Sequence, residues 1–189
     1  MREARRPAAF LDRDGTLIHD AHYLRDPALV QLIDGVPRAL HQLTAAGYAL
    51  IVVTNQSGIA RGLISEADYA AVRARLDALL AAEGITLTDT LHCPHEPTIS
   101  GPCECRKPGT LLYRRAAESH AIDVARSAFI GDRWRDVAPA QSLGGRGYLV
   151  PSVNTPAEDI AQSKASAGAV ALCATLGDAV SLVLAATAR

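Results

Sequence analysis

Short apolar runs alternate with amphipathic segments along most of this 189-residue chain. In these runs consecutive residues are nearly all apolar, which is typical of strands buried on both faces of a parallel sheet. They occupy residues 8–11, 48–53, 127–130 and 147–150. A more polar run at residues 89–92 is interpreted as a further short strand.

Helical periodicity fills the segments between these runs. Ser65 and Asp68 match an N-terminal capping pair, and an apolar stripe with helical spacing follows them. The predicted helices span residues 36–46, 65–84, 110–120 and a last segment that begins near Thr175. Alternating strands and helices predict a three-layer α/β fold, in which helices cover both faces of a Rossmann-like parallel sheet.

Composition excludes several classes of protein. The chain is 49% hydrophobic and 21% charged, with a net charge of −1, which is ordinary for one globular domain spanning residues 1–189. The chain has no excess of basic residues that would indicate nucleic-acid binding. No apolar run approaches the ~18 residues that a membrane span requires. The basic residues 1–6 precede no long apolar segment, so we expect no signal peptide. The expectation is a cytoplasmic monomer.

Two acids follow the first predicted strand. Asp12 and Asp14 stand one residue apart, and Gly15 after them permits a tight turn. At the carboxyl end of a parallel strand, one carboxylate can attack an electrophile while the other passes a proton or helps to hold a cation. A surface turn is the alternative, since Asp and Gly are common turn formers. Taken alone, this stretch does not separate the two.

A polar loop follows the second predicted strand. It begins with Thr54-Asn55-Gln56-Ser57-Gly58 and reaches Arg61 three residues later. Hydroxyl, amide and backbone N–H donors with an arginine form a plausible cradle for phosphate oxygens. A plain solvated loop is the alternative, and the buried strand before it argues for the cradle.

Four zinc-type ligands crowd into a short segment at about residues 92–107. Cys93, His95, Cys103 and Cys105 supply three thiolates and one imidazole, which is a complete tetrahedral set for a structural zinc ion. Incidental buried cysteines are the weaker alternative, and His92 is ranked below His95 as the fourth ligand. Two disulfides are disfavoured by this clustering in a cytosolic chain.

Basic and acidic residues stand next to these features. Arg106 and Lys107 directly follow the fourth zinc ligand, so the metal loop would fix the approach of the lysine; a solvated basic pair is the alternative. Asp132 and Asp136 follow the strand at 127–130 and suit Mg²⁺, which takes few carboxylates and a phosphate oxygen. Their alternative role is to complement a helix N-terminus.

The remaining segments carry less chemistry. Residues 18–35 have mixed polarity and are predicted to form a loop or hairpin flap above the end of the first strand, with a solvated loop as the alternative. Nothing from Pro151 onward is predicted to take part in chemistry. Cys173 is interpreted as a small buried hydrophobic residue.

Four of these motifs, in chain order, resemble the signature of the haloacid dehalogenase-like phosphohydrolases: Asp12-Arg13-Asp14-Gly15-Thr16, Thr54-Asn55, Lys107 and Gly131-Asp132. A closer resemblance is to the D-glycero-D-manno-heptose-1,7-bisphosphate 7-phosphatases of that superfamily. It is carried by Thr54-Asn55-Gln56-Ser57-Gly58-Ile59-Ala60-Arg61-Gly62, Cys93-Pro94-His95 and Cys103-Glu104-Cys105-Arg106-Lys107-Pro108. The similarity covers roughly residues 8–150, and its motifs are specific in combination.

The resemblance implies a phosphatase that works through an aspartyl phosphate. Asp12 would attack phosphorus, while Asp14 would protonate the leaving sugar oxygen and then deprotonate the attacking water. Thr54 and Lys107 would bind the phosphoryl group, and Asn55 would help to position it. Two anions must meet in such a reaction, and only cations can offset their repulsion.

The resemblance also implies the metals and the shape of the pocket. Mg²⁺ would be held by Asp12, the backbone carbonyl of Asp14 and Asp132, with Asp136 close behind these ligands. Structural Zn²⁺ would occupy the four-ligand loop. This branch has no large cap domain, so the flap and the zinc loop would bound the pocket.

Substrate contacts follow from the resemblance by position. Residues expected to face the sugar or its second phosphate are Asp20, Tyr23, Gln56, Ser57, Arg61, Arg106 and Arg133. The chain departs from the family in three places: Ala21-His22 replaces a usual glycine before the flap tyrosine, Arg133 stands where lysine is common, and the link at 108–110 is short. Arg133 is a feature shared with histidinol-phosphate phosphatases.

Three hypotheses follow. The leading one is a magnesium-dependent phosphatase that hydrolyses the C7 phosphate of D-glycero-D-manno-heptose 1,7-bisphosphate, a step that the family places in lipopolysaccharide precursor synthesis. Its rival acts on histidinol phosphate or another small phosphomonoester. A zinc-stabilised binding domain without catalysis is disfavoured, because every expected catalytic position is filled.

Overall fold

Six parallel strands form the centre of the structure, a computed structural model that describes residues 5–166 and 168–187. The strands are β1 Ala8–Leu11, β2 Ala49–Asn55, β3 Asp89–Cys93, β4 Ala128–Gly131, β5 Arg146–Leu149 and β6 Val170–Leu172. They form one sheet in the order β3-β2-β1-β4-β5-β6. The predicted α/β fold with a parallel sheet is confirmed, and β6 is an additional strand that the sequence pattern did not reveal.

Helices connect the strands. They are α1 Val36–Ala45, α2 Glu66–Ala82, α3 Pro97–Ser100, α4 Leu111–Ser119, α5 Trp134–Val137, α6 Pro139–Leu143, α7 Ala157–Ala165 and α8 Leu176–Thr187, with 3-10 turns at Pro27–Leu29 and Val124–Arg126. The capping box between Ser65 and Asp68 begins α2 as predicted. Within the described ranges, no helix is long and apolar enough to cross a membrane.

The central strands are buried on both faces because alternate side chains enter two separate cores. Ala9 and Leu11 of β1 join a large cluster with the apolar sides of α1, α2 and α8. On the other face, Phe10 packs against Tyr113 of α4 and Phe129 of β4, with ring centroids 5.2 and 4.9 Å apart. Cys173 is buried in the first cluster, as predicted.

The chain reverses direction across the sheet at β1. It passes first to β2 and β3 on one side, and then returns to β4 on the opposite side of β1. Such a reversal leaves a crevice beyond the carboxyl ends of the strands, where ligands bind in open α/β sheets. Asp12, the residue after β1, lies at this point.

The flap at residues 18–35 arches over the same edge. Ile18 pairs antiparallel with Leu32, which closes the base of the flap. His22 and Tyr23 adopt positive φ angles of 43° and 57°. The residue that replaces the family's usual glycine therefore lies in a backbone region that glycine favours. Among the described residues there is no inserted cap domain.

Candidate active site

Lys107 lies at the centre of the candidate active site. Its side chain is only 1% exposed, and Nζ lies 2.5 Å from Oδ1 of Asp12 and 2.7 Å from Oδ1 of Asp136. Nζ also donates to the carbonyl oxygen of Val53, at 2.6 Å. The ammonium group therefore donates two hydrogen bonds, to Asp12 and Val53, and forms an ion pair with Asp136. These three neighbours hold the Lys107 ammonium group in place beside Asp12.

Asn55 holds the backbone of Lys107. Its Nδ2 donates to the Lys107 carbonyl oxygen at 3.2 Å, and its Oδ1 accepts from the Lys107 N–H at 3.0 Å. Asn55 is the last residue of β2, so this pair of hydrogen bonds ties the loop before α4 to the sheet. The amide that we expected to position the phosphoryl group positions the lysine in this structure.

Three buried acids face one another beside the lysine. Carboxylate oxygens of Asp12, Asp132 and Asp136 lie within 4.8 Å of one another. Gly15 makes room for this cluster, because a Cβ atom there would lie 2.5 Å from Oδ2 of Asp132. Several oxygen ligands of this hardness suit a divalent cation such as Mg²⁺.

Burial and mutual repulsion act on the acids of this cluster. Burial raises the pKa of Asp12 to about 7, with repulsion by Asp136 in the same direction and attraction by Lys107 against it. Burial and Asp136 likewise raise the pKa of Asp132 to about 6. Burial alone would lower the pKa of Lys107, but the charges of Asp12 and Asp136 outweigh it and raise that pKa. One lysine thus leaves the negative charge of three acids incompletely offset, which favours a bound cation.

Asp14 lies outside that cluster and has its own partners. Nε and Nη2 of Arg13 donate to both carboxylate oxygens of Asp14, at 2.9–3.2 Å. Gln56 Nε2 donates to Oδ2 of Asp14 and to Oγ1 of Thr54, both at 2.9 Å. The guanidinium of Arg13 in turn lies over the ring of Tyr69, 5.7 Å from its centroid. Asp14 is therefore oriented by two neighbouring side chains.

A cleft of about 110 Å³ opens between Asp14 and the flap. Its walls are formed by flap residues, by the start of the loop after β2 and by two arginines; they include Asp14, Asp20, Tyr23, Gln56, Ser57, Arg13 and Arg135. The ring of Tyr23 packs on Gly58, where an added Cβ would lie 2.7 Å from the ring. Four of the residues predicted to face the substrate therefore line this cleft.

The other three predicted substrate residues have acidic partners. Arg61 donates to Oε2 of Glu96 at 2.9 Å, and Arg106 lies 3.8 Å from the same oxygen. Arg133 donates to Oδ2 of Asp159 in α7, also at 2.9 Å. Arg133 is not among the residues that line the cleft, whereas Arg135 is.

The four zinc-type ligands form one cluster. Their Sγ atoms lie 3.1, 3.5 and 3.7 Å apart, and Nδ1 of His95 lies 3.1 Å from Sγ of Cys105. A tetrahedral zinc ion with Zn–S bonds of about 2.3 Å needs sulfur separations of about 3.8 Å, so small outward shifts would accommodate it. The thiols are free, and His92 stacks on Tyr69 instead.

Residues beyond Pro151 contact the site, contrary to our expectation. Ser152 Oγ donates to Oδ2 of Asp132 at 2.6 Å, and Thr155 Oγ1 donates to the backbone carbonyl of Asp132 at 2.7 Å. Asn154 Nδ2 donates to Asp20 of the flap at 3.1 Å. This loop follows β5, so the rule that loops after parallel strands share one edge indicates its general location, although not its contact with Asp132.

Comparison with known proteins places these features in context. A family model described as HAD-hydrolase-like matches residues 104–179. The chain is 38% identical over 161 residues to the D-glycero-beta-D-manno-heptose-1,7-bisphosphate 7-phosphatase of Rhodopseudomonas palustris, covering 82% of this chain and 87% of that protein. It is 40% identical to the enzyme of the same name from Photorhabdus laumondii, with the same coverage.

A solved structure shares the fold over nearly the whole chain. The D,D-heptose 1,7-bisphosphate phosphatase of B. bronchiseptica, solved with magnesium and phosphate, superimposes with a TM-score of 0.83 at 30% identity. The match covers 95% of this chain and 99% of that one. The similarity therefore extends beyond the motifs to the complete arrangement of strands and helices.

Proposed function

This chain belongs to the haloacid dehalogenase-like hydrolases, and from that premise we propose that it removes the C7 phosphate of D-glycero-β-D-manno-heptose 1,7-bisphosphate. It is a phosphoric monoester hydrolase. The observation that carries the proposal is the juxtaposition of Asp12, Lys107 and the acids Asp132 and Asp136 beside the cleft that contains Asp14. The β-anomer is proposed because the relatives' names specify it.

Asp12 is the proposed nucleophile. Its carboxylate oxygen would attack phosphorus, and the bond from phosphorus to the sugar oxygen would break as Asp14 gives that oxygen a proton. Water would then attack the aspartyl phosphate, Asp14 would take its proton, and phosphate would leave as Asp12 is restored. Lys107 would offset the charge that the carboxylate and the phosphoryl oxygens bring together.

Two hydrogen-bonding residues support these roles. Gln56 links Asp14 to Thr54, which places the proton carrier next to a hydroxyl proposed to bind the phosphoryl group. Asn55 fixes the backbone of Lys107 and so acts on the phosphoryl group through the lysine. Both residues belong to the carboxyl end of β2 and the turn after it.

Mg²⁺ is the proposed cofactor of this site. Its ligands would be the carboxylates of Asp12 and Asp132 together with the backbone carbonyl of Asp14, and Asp136 would remain the partner of Lys107. When bound, the ion would neutralise carboxylate charge and polarise a phosphoryl oxygen. The buried acids with raised pKa values fit this donor set.

A structural Zn²⁺ is proposed for the thiol and imidazole cluster. The separations among Cys93, His95, Cys103 and Cys105 support a four-ligand site without an open position. Lys107 follows Cys105 by two residues, so the zinc loop would help to hold the lysine in the site. A cytoplasmic location and a monomeric state remain predictions.

Steady-state kinetics on a substrate panel tests the proposal. The panel contains both anomers of the heptose bisphosphate, histidinol phosphate and p-nitrophenyl phosphate, each assayed with Mg²⁺. We expect the highest kcat/KM for the β-anomer, and loss of all turnover in Asp12→Asn. Higher kcat/KM for histidinol phosphate would transfer the proposal to that substrate, and full activity of Asp12→Asn would remove the nucleophile.

A further inference from the structure

The cleft beside Asp14 is lined by an arginine that the family motif does not assign to the substrate. From its placement we infer that Arg135, and not Arg133, binds the phosphate that is not hydrolysed. The inference rests on the proposed function, because it concerns the far end of that same substrate. It is carried by the partners of each arginine around the site.

Arg133 has its charge already matched. Its Nε donates to Oδ2 of Asp159, and the same oxygen accepts the backbone N–H of Trp134 at 3.0 Å. Asp159 thereby fixes the first turn of α5 and directs the Arg133 side chain toward α7. An incoming phosphate would have to displace a carboxylate from this ion pair.

Arg135 is the uncommitted arginine of the cleft. Its side chain is 42% exposed, and its ion-pair partner, Asp136, lies 3.9 Å away and is closer to Lys107, at 2.7 Å. Within the described part of the chain, its Nε is buried without a hydrogen-bond partner. Arg13, the other arginine of the wall, holds both oxygens of Asp14. Of the two arginines that line the cleft, Arg135 therefore has the weaker pairing with an acid, at 3.9 Å against 2.9 Å for Arg13 and Asp14.

Helix geometry explains why the two arginines differ. Arg133 is the residue before α5 and has extended backbone, whereas Arg135 is the second residue inside the helix. In this structure the Arg133 side chain is directed to Asp159 of α7, while Arg135 lines the cleft. A planar guanidinium with free donors suits a phosphate, which it can contact through two parallel hydrogen bonds.

The test compares heptose 1,7-bisphosphate with heptose 7-phosphate, which lacks the distal phosphate. We expect Arg135→Ala to raise KM for the bisphosphate by about tenfold or more, with little change in kcat, because charge-assisted hydrogen bonds to the non-reacting end act on binding. KM for the monophosphate should change much less. Arg135→Lys should recover part of the loss, since lysine retains the charge without the fork.

Two arginine variants provide matched controls. Arg133→Ala should keep the wild-type ratio of the two KM values and lower the melting temperature, because it breaks the ion pair with Asp159. Arg75→Ala, an exposed site in α2, should alter neither quantity. Melting curves of every variant verify that each protein is folded.

The failure of this inference is distinguishable from failure of the proposed function. Wild-type protein that hydrolyses neither sugar phosphate contradicts the function itself. Wild-type protein that does not discriminate between the two substrates, or Arg135→Ala with the wild-type ratio of KM values, overturns the role of Arg135. If Arg133→Ala, and not Arg135→Ala, loses the discrimination between the two substrates, then Arg133 binds the distal phosphate, as the family pattern suggests.

Discussion

Replacing Lys107 with methionine tests whether the ammonium group holds the acids of the site together. Methionine has a similar length and no charge, so the change removes three contacts, to Asp12, Asp136 and the Val53 carbonyl. The carboxylates would then be buried without a cation. Removing one partner of a buried ion pair costs about 3–5 kcal/mol, which is the loss in unfolding free energy that we expect at pH 8 without metal.

The loss should depend on pH with a defined sign. Burial raises the pKa of Asp12 to about 7 even with Lys107 beside it, so this carboxyl is ionised at pH 8 and mostly neutral at pH 5. Its attraction to the lysine is therefore largely absent from the wild-type protein at pH 5. The variant should lose clearly less stability at pH 5 than at pH 8.

Urea unfolding of both proteins in EDTA, at pH 8 and at pH 5, measures these differences. Lys164→Met is the matched control, because Lys164 is the chain's other lysine and is exposed on α7. We expect no loss above about 0.5 kcal/mol for the control. Equal losses for Lys107→Met at the two pH values, or a loss of less than about 1 kcal/mol at pH 8, would show that the ammonium group does not hold these carboxylates together.

Three further predictions concern the metals. Without metal, folding raises the pKa of Asp12 from 3.8 to about 7 and that of Asp132 from 3.8 to about 6. Their contribution to stability is therefore complete below about pH 4 and is lost as the pH increases through 7. Since Mg²⁺ binds ionised carboxylates, the increase in melting temperature that it causes should be larger at pH 8 than at pH 5. Ser152→Ala removes a hydrogen bond that lowers the pKa of Asp132, so half-maximal activation should need several-fold more Mg²⁺ at pH 6.5, and an unchanged Mg²⁺ titration would contradict this. Metal analysis should find one zinc ion per chain. Cys105→Ser should lower the melting temperature, and it should lower kcat because the zinc loop would no longer hold Lys107 in place. Unaltered kinetics in the folded variant would contradict this coupling.

The sequence predicted the framework of the molecule because its signals are local. Buried strands reveal themselves by continuous apolar runs, and Ser65 with Asp68 marks the start of α2 by a capping pattern. The positions of Asp12 and Lys107 could be expected at one sheet edge, since residues that follow parallel strands meet there. The spacing of the four zinc-type ligands was likewise sufficient to expect a single cluster.

The partners of individual side chains could not be predicted, because they depend on contacts between distant segments. Asp159, in α7, attracts Arg133, and nothing near Arg133 in the sequence indicates this pair. Ser152 contacts Asp132 only because β4 and β5 lie side by side, which the apolar pattern does not specify. The last strand, β6, was missed because three residues in an alanine-rich segment give no periodicity to read.

The central position of β1 also bears on how the molecule acquires activity as it folds. Ala8 donates to Ser127, a residue 119 positions later in the chain, and β1 pairs with β4 as well as with β2. Pairing strands this distant in sequence requires a long loop to close, so we expect this pairing late in folding. An intermediate containing only β1, β2 and β3 would lack Asp132, Asp136 and the final support of Asp12. Hydrolytic activity would therefore emerge with the last long-range strand pairing and would report the completion of folding, while the helical signal would recover earlier.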